Sequence, residues 1–363
     1  MEGVPLSDEK NELGGHLGCI ALLILVPAAV LLLVPSSSAK IVDFFQPLYE
    51  VEDPYTQFCL TRYGLGAAIS TLAGLALTLV CARRHPLSRR TAMCLLGALG
   101  ALLGARLLYI GARFSYILAD LGGASFFWQF WQGGYTLYGG ILGGMAALAI
   151  YARATKQSLL PLLDDVTPGA LLVLVGLRLS ESVSGQGTSK LIEDIGLSFL
   201  PFQRIGEYDT VLCVWAYEAL VAAIALLVVL VMRRRIQPAG RMLETGLSII
   251  SIAQVMLDSW RADELIRFGF VRLNMLMAAG VLVVILATRL VRLIRQGASR
   301  GLCIARAVTF VAGAGICIAI EFALDKSPID NGLLYLVMTA VLALMLIAML
   351  LGDGRTPAAK ERN

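Results

Sequence analysis

Ten stretches of this chain, each about as long as the 20-residue helix that crosses a ~30 Å hydrocarbon layer, are almost entirely apolar. They run over 17–35, 63–82, 92–111, 133–152, 161–178, 209–232, 243–260, 271–288, 303–323 and 333–351. Nothing else in the sequence limits the fold so strongly. A bilayer interior has no water to satisfy exposed backbone N–H and C=O groups, and these runs are too long for barrel strands, so helices are the implied element. Charged residues are 15% of the chain, against roughly a quarter in an ordinary soluble domain, which excludes a soluble globule. The expected fold class is all-α, a polytopic membrane helix bundle with the lipid bilayer as its first partner.

The formal charge of +4 follows the connections between runs and is no argument for nucleic acid; no nucleic-acid partner is expected. Basic residues gather in alternate connections: Arg83, Arg84, Arg89 and Arg90; Arg153 and Lys156; Arg233, Arg234, Arg235 and Arg241; Arg289, Arg292, Arg295 and Arg300. Intervening connections hold one or two, such as Arg113, Arg267 and Lys326. By the positive-inside rule the rich connections are cytoplasmic, and ten spans then place both termini in the cytoplasm, in agreement with Arg355, Lys360 and Arg362 in the tail. Residues 17–35 could be the core of a signal peptide, with Ser37-Ser38-Ala39 as a cleavage-like site. The leader MEGVPLSDEKNELGGH holds four acids and one lysine, the wrong charge for that role, so a retained signal-anchor helix is expected. The seven cysteines show no metal or disulfide spacing and read as small buried hydrophobes; no metal or other cofactor is expected.

The chain divides into residues 1–62, an anchor helix and external segment; 63–293, seven spans; and 294–363, an apolar hairpin with a cytoplasmic tail. Two connections of the middle block are longer than topology needs. One, about 112–132, is rich in aromatic residues, as suits a segment at headgroup level; the other, about 179–208, is polar and glycine-bearing.

Ionisable groups inside a span cost several kcal/mol unless they face water or a partner, which makes each a candidate for function. The middle block holds Arg106, Arg178, Glu181, Glu218, Asp258 and Arg261. From the span boundaries, Arg106 lies about 8 Å below the external end of its helix and Glu218 roughly 14 Å deep, at 1.5 Å per residue. The others close outward-running spans, and Tyr63 and Tyr138 stand near external ends. All fall in the outer half of the membrane. The reading is a polar cavity open to that leaflet, whose guanidinium groups grip a phosphate bidentately; snorkelling to the interface is the alternative for each arginine taken singly.

Beside them lies GGYTLYGGILGG, Gly133 to Gly144. Glycine in a membrane helix lets a backbone or a ligand come close, and Gly139, Gly140, Gly143 and Gly144 include small-xxx-small spacings. Tyr138 either donates to a phosphate or joins an aromatic belt.

Residues 60–293 resemble the prolipoprotein diacylglyceryl transferases. The matches run in family order: Arg62-Tyr63-Gly64-Leu65; Gly104-Ala105-Arg106-Leu107 with Tyr109; Gly133-Gly134-x-x-x-Tyr138-Gly139-Gly140-x-x-Gly143; Asp165-x-x-Pro168-Gly169; Gly176-x-Arg178; Tyr217-Glu218-Ala219-Leu220; and Arg261. The resemblance implies a seven-span transferase-like core with one extra N-terminal and two extra C-terminal spans, in a bacterial inner membrane. It also implies transfer of a diacylglyceryl group from phosphatidylglycerol to the lipobox cysteine of a preprolipoprotein, recognised with its signal peptide. A non-catalytic relative that binds phospholipid or lipoprotein is the alternative. The family has histidine where Tyr138 stands, Gly-Asn-Phe-x-Asn-Gly-Glu where this chain reads from Ser180 to Gln186, arginine at Gln254 and glutamate at Asp258. The implied roles are Arg178 and Arg261 on the phosphate, Glu181 or Asp258 in place of the family's base, and Tyr63, Arg106, Tyr138, Gly139, Gly140 and Glu218 at the bound lipid.

Overall fold

A computed structural model describes residues 6–33, 60–120, 127–130, 133–183, 186–206, 209–235, 237–263, 266–268 and 271–350. The cleavage-like Ser37-Ser38-Ala39, Cys59, Ser184, Gly185 and the basic tail lie outside them. The helices are α1 (Leu6–Leu33), α2 (Arg62–Cys81), α3 (Leu87–Ala112), α4 (Phe114–Asp120), α5 (Leu137–Ala154), α6 (Leu159–Ser180), α7 (Ile192–Ile195), α8 (Val214–Arg233), α9 (Arg241–Trp260), α10 (Leu273–Arg295), α11 (Arg300–Lys326) and α12 (Asn331–Leu350). The strands are β1 (Thr188–Leu191), β2 (Gln203–Ile205), β3 (Thr210–Cys213), β4 (Arg267–Phe268) and β5 (Val271–Arg272). Among the described residues nine helices are long and apolar enough to cross a membrane, and the chain is an all-α membrane bundle. The tenth expected span is α9, a helix of matching length that composition alone does not qualify. The reason is its buried polar residues, Thr245, Ser248, Ser251, Gln254 and Asp258, which recur along it at three- and four-residue steps.

The chain forms two compact units. The first comprises Met1–Gly187 and Trp215–Gly246. In it the helices pair through small residues. A Cβ on Gly104 would stand 2.4 Å from the Gly139 carbonyl oxygen, and one on Gly143 would stand 2.2 Å from that of Gly100, so α3 and α5 touch backbone to backbone. Helices α2 and α6 meet the same way: a Cβ on Gly74 would lie 2.6 Å from the Gly169 carbonyl oxygen, and one on Gly176 would lie 2.0 Å from the Ser70 hydroxyl. The hydroxyls at this seam stay satisfied in their own helix, since Ser70, Thr71 and Thr78 donate to the carbonyls of Gly66, Ala67 and Gly74 at 2.6, 2.8 and 2.9 Å. Larger side chains complete the packing: Leu22 of α1 is buried with Leu75, Leu79 and Cys94, and Met93 with Leu148, Leu162 and Leu163.

The first residues of α6 hold helix ends together. Asp164 accepts from the backbone N–H groups of Gly240 and Leu243 at 2.6 and 2.9 Å, capping the start of α9. Asp165 takes Arg84 Nε at 2.8 Å, with His85 Nε2 at 3.2 Å and Arg233 Nη1 at 3.4 Å.

The second unit comprises Thr188–Val214 and Leu247–Asn363. Strands β1 and β2 of the long polar connection pair with β3, from the start of the expected 209–232 span, as a three-stranded antiparallel sheet in the order β1-β3-β2, and β4 pairs with β5. Helices α11 and α12 pack as a hairpin, with Gly313 of α11 against Met345 of α12.

Candidate functional site

The start of α8 corrects one sequence expectation. Residues 210–213 are strand β3 and the helix begins at Val214, so Glu218 lies only about four residues, roughly 6 Å, from the helix end rather than 14 Å deep. That places it beside the last turn of α6. Arg178 Nη1 donates to Glu181 Oε1 at 2.5 Å, and Arg178 Nε lies 3.3 Å from Glu218 Oε2. The side chains of Arg178, Glu181 and Glu218 are 12%, 9% and 3% exposed, so one guanidinium is held between two carboxylates out of bulk water. Sequence spacing brings Arg178 and Glu181 together as an i, i+3 pair across the end of α6; Glu218 arrives only through the tertiary fold. Gly187 closes over this pair, since a Cβ there would stand 2.5 Å from Glu181 Oε2, and its carbonyl accepts from Trp215 N–H at 2.9 Å.

Arg106 has a different setting. Its side chain is among the largest fully buried in the molecule. Nη1 donates to the Gly133 carbonyl and Nη2 to that of Gln129 at 3.0 Å, while the guanidinium carbon lies 5.9 Å from the Phe130 ring centroid and 5.8 Å from that of Tyr135. It thus holds the connection leading into α5. Burial beside it pushes the Tyr135 hydroxyl up to about 12, against a smaller downward pull from Arg106.

The glycine-rich stretch divides in function. Gly133 and Gly134 precede the helix at φ of 72° and 78°, a left-handed turn that side chains resist. A Cβ on Gly134 would also meet the Tyr109 ring at 2.6 Å and Arg106 Nη1 at 2.9 Å. Gly139 faces α3, 2.5 Å from the Gly104 carbonyl oxygen by the same construction, whereas Gly140 has ordinary room, 3.5 Å from that of Ala101. Tyr138 is fully buried in the first turn of α5, and Tyr63 is half-buried in the first turn of α2, whose N-cap Thr61 accepts from Gly64 N–H at 2.9 Å.

Asp258 and Arg261 belong to the second unit. Arg261 follows α9, forms a bridge with Ser189 of β1, and binds Asp263 Oδ2 through Nε at 2.8 Å and Nη2 at 2.7 Å. Its carbonyl accepts from Arg272, a buried arginine that sequence reasoning missed because it sits at a span boundary, where an arginine reads as an interfacial anchor. Burial lowers the Arg272 pKa, with an opposing pull from Asp258. Asp258 is fully buried and accepts from Gln254 Nε2 at 2.6 Å, one helical turn back. Among the described residues no group of three or more His, Cys, Asp or Glu side chains is placed to hold a metal ion.

Comparison with known proteins bears on this geometry. Residues 55–292 match the model of a family described as prolipoprotein diacylglyceryl transferase. Similar proteins that carry the name phosphatidylglycerol–prolipoprotein diacylglyceryl transferase include the following three. The one from Lactobacillus acidophilus is 26% identical over 178 residues, covering 46% of this chain and 61% of its own length. Those from Streptococcus pneumoniae serotype 4 and Streptococcus mutans are 25% and 26% identical over 198 and 202 residues, each covering 52% of this chain and 74% and 75% of the relative.

Proposed function

This chain belongs to the prolipoprotein diacylglyceryl transferase family, and on that premise we propose that it moves a diacylglyceryl group from phosphatidylglycerol to the lipobox cysteine of preprolipoproteins. The reaction takes place at the outer leaflet of a bacterial inner membrane, with the preprolipoprotein's signal peptide in the bilayer beside the enzyme and both of the chain's termini in the cytoplasm. The thiolate sulfur attacks the glycerol C3 carbon, an S–C bond forms, and the C3–O bond breaks with its electron pair passing to the departing glycerol phosphate. The thiol proton leaves for a carboxylate.

The observation that carries this reading is Arg178 between Glu181 and Glu218. Two carboxylates on Nη1 and Nε fix the plane of the fork, and a fixed guanidinium plane is what bidentate phosphate recognition requires. Charge developing on the phosphate is then stabilised by a donor that needs no reorganisation, an effect of roughly 3 kcal/mol for a well-placed donor. Glu181 takes the thiol proton: a free cysteine pKa of about 8.5 leaves most of the thiol protonated near neutrality, so an adjacent base raises the reactive fraction. Arg106 acts at one remove, by holding the connection ahead of α5. Tyr138, Gly139, Gly140 and Tyr63 line the lipid's path in this proposal, and Asp258 and Arg261 contribute from their own cluster.

The reading is tested by expressing the chain in cells depleted of their own transferase and following a lipoprotein by mobility shift. Growth with a lipidated product supports the transferase, and Arg178→Ala should abolish the product while the protein remains in the membrane. Correct insertion without product would overturn it and favour a non-catalytic lipid or lipoprotein binder. That second reading draws on the fully buried Tyr138 at the position of the family's histidine.

A further inference from the structure

We infer that the C-terminal hairpin, which lies beyond the residues matched to the family, sets the position of Arg261, and that Tyr335 of α12 is a positioning residue for the transfer. The inference rests on the function proposed above and adds a part to it that the family stretch does not contain. Tyr335 is 3% exposed, and its hydroxyl lies 3.2 Å from that of Ser259; its ring stands edge-on to Trp260 with centroids 6.0 Å apart and planes at 89°. Ser259 and Trp260 are the two residues immediately before Arg261, and both are themselves buried. One turn further along α12, the Thr339 hydroxyl lies 2.9 Å from the Met256 sulfur. The last turn of α9 is therefore gripped along its side by α12.

A second hold acts on the strand that pairs with Arg261. Ser189 bridges to Arg261, and the Ala262 N–H donates to the Thr188 carbonyl at 2.9 Å, so β1 fixes the backbone on both sides of the arginine's Cα. Strand β1 runs directly into α7, and α7 is tied to the start of α12. Asn331 Nδ2 donates to the Asp194 carbonyl at 2.8 Å, and Gly332 meets Gly196 so closely that a Cβ on Gly332 would stand 2.4 Å from the Gly196 carbonyl oxygen. Asp330 caps α12 at this contact, its Oδ1 accepting from Leu333 N–H at 2.9 Å. One helix thus grips both the residues before Arg261 and the strand paired with it. The physical consequence is orientation: a side chain that must meet a departing phosphate within tenths of an ångström is only as well placed as the backbone that carries it.

The test uses the full-length chain in phosphatidylglycerol vesicles with a reporter preprolipoprotein. Tyr335→Ala should lower the lipidation rate per inserted molecule roughly tenfold to hundredfold, mostly in kcat, as a misplaced catalytic group does. Tyr335→Phe, which keeps the ring on Trp260 and loses the contact with Ser259, should lower it severalfold and is the variant to use if alanine prevents folding. In an Arg261→Lys background Tyr335→Ala should add no further loss, whereas in an Arg178→Lys background its factor should multiply. A merely structural role would lower the yield of inserted protein and multiply equally in both. An unchanged rate, or the same factor in both backgrounds, overturns the inference while leaving the transferase reading intact. Hydrogen exchange decides the matter even without turnover. The Ala262 amide should exchange at least tenfold faster in Tyr335→Ala than in wild type, and unchanged exchange would sink the brace whatever the chain's activity.

Discussion

The two ends of α6 carry ion clusters of opposite stoichiometry. At its start one carboxylate, Asp165, is met by Arg84, His85 and Arg233; at its finish one guanidinium, Arg178, is met by Glu181 and Glu218. Exposure differs too. Arg84 and Arg233 are 52% and 29% exposed, while Arg178 is 12% exposed. A wet excess of cations around one buried acid suits a clamp, because each cation keeps its hydration and the helix ends are simply tied together; Arg84 and Arg233 also donate to the carbonyls of Pro161 and Cys81. A dry cation oriented by two acids is costly to build, and its guanidinium plane is held fixed. The same interaction type serves assembly at one end and, in the proposed function, chemistry at the other.

That contrast is broken most sharply by Arg178→Lys. Lysine keeps the charge between the carboxylates but loses the planar fork, and lipidation should fall about hundredfold in a single-turnover assay, with little change in the amount of inserted protein. Asp165→Asn should do the reverse: activity per molecule within about twofold of wild type, and stability lower by about 2 kcal/mol in a thermal or denaturant titration in micelles, as expected for lost charged hydrogen bonds. If Asp165→Asn loses activity without losing stability, the division of labour along α6 is wrong. Gly143→Leu would sharpen the point that packing, too, is separate from chemistry. It should cost about 1–3 kcal/mol by forcing α3 and α5 apart, while Gly140→Ala, which meets only ordinary contacts, should cost less than about 1 kcal/mol.

The smallest effect concerns the Tyr135 hydroxyl, which donates to the Phe130 carbonyl at 2.6 Å. Burial raises its folded pKa to about 12 from the usual value of 10, so the folded state holds this proton more tightly than the unfolded chain. The resulting stability is present below pH 10 and fades as pH climbs from 10 to 12. Tyr135→Phe should flatten that alkaline loss in melting temperature against pH.

Several candidates were legible because their reasons are local. Arg178 and Glu181 are three residues apart at a helix end, and a charged pair in an apolar run is conspicuous against a hydrocarbon background. Gly139 and Gly143 announced close packing by spacing alone, although the purpose of Gly133 and Gly134 was a turn that the apolar run disguised. Arg272 and Asp263 were not legible, since neither interrupts a span. The strands were missed because each holds only two to four residues, too few for an alternating pattern to emerge. The missing strand β3 in turn displaced Glu218 by about one and a half helical turns.

By itself the sequence determined the membrane class, the positions of nine spans and the order of the family's motifs, because hydropathy over 20 residues and motif order are properties of the chain read along its length. Tertiary structure alone decided which partner each buried charge or hydroxyl found: Glu218 for Arg178 across 40 positions, Gly133 for Arg106 across 27, and Tyr335 for Ser259 across 76. A buried ion or hydroxyl is strongly driven to find some partner, but almost any acceptor within reach will serve. Which one is within reach is set by how the helices pack, as where the glycine seam between α3 and α5 brings Gly133 to Arg106.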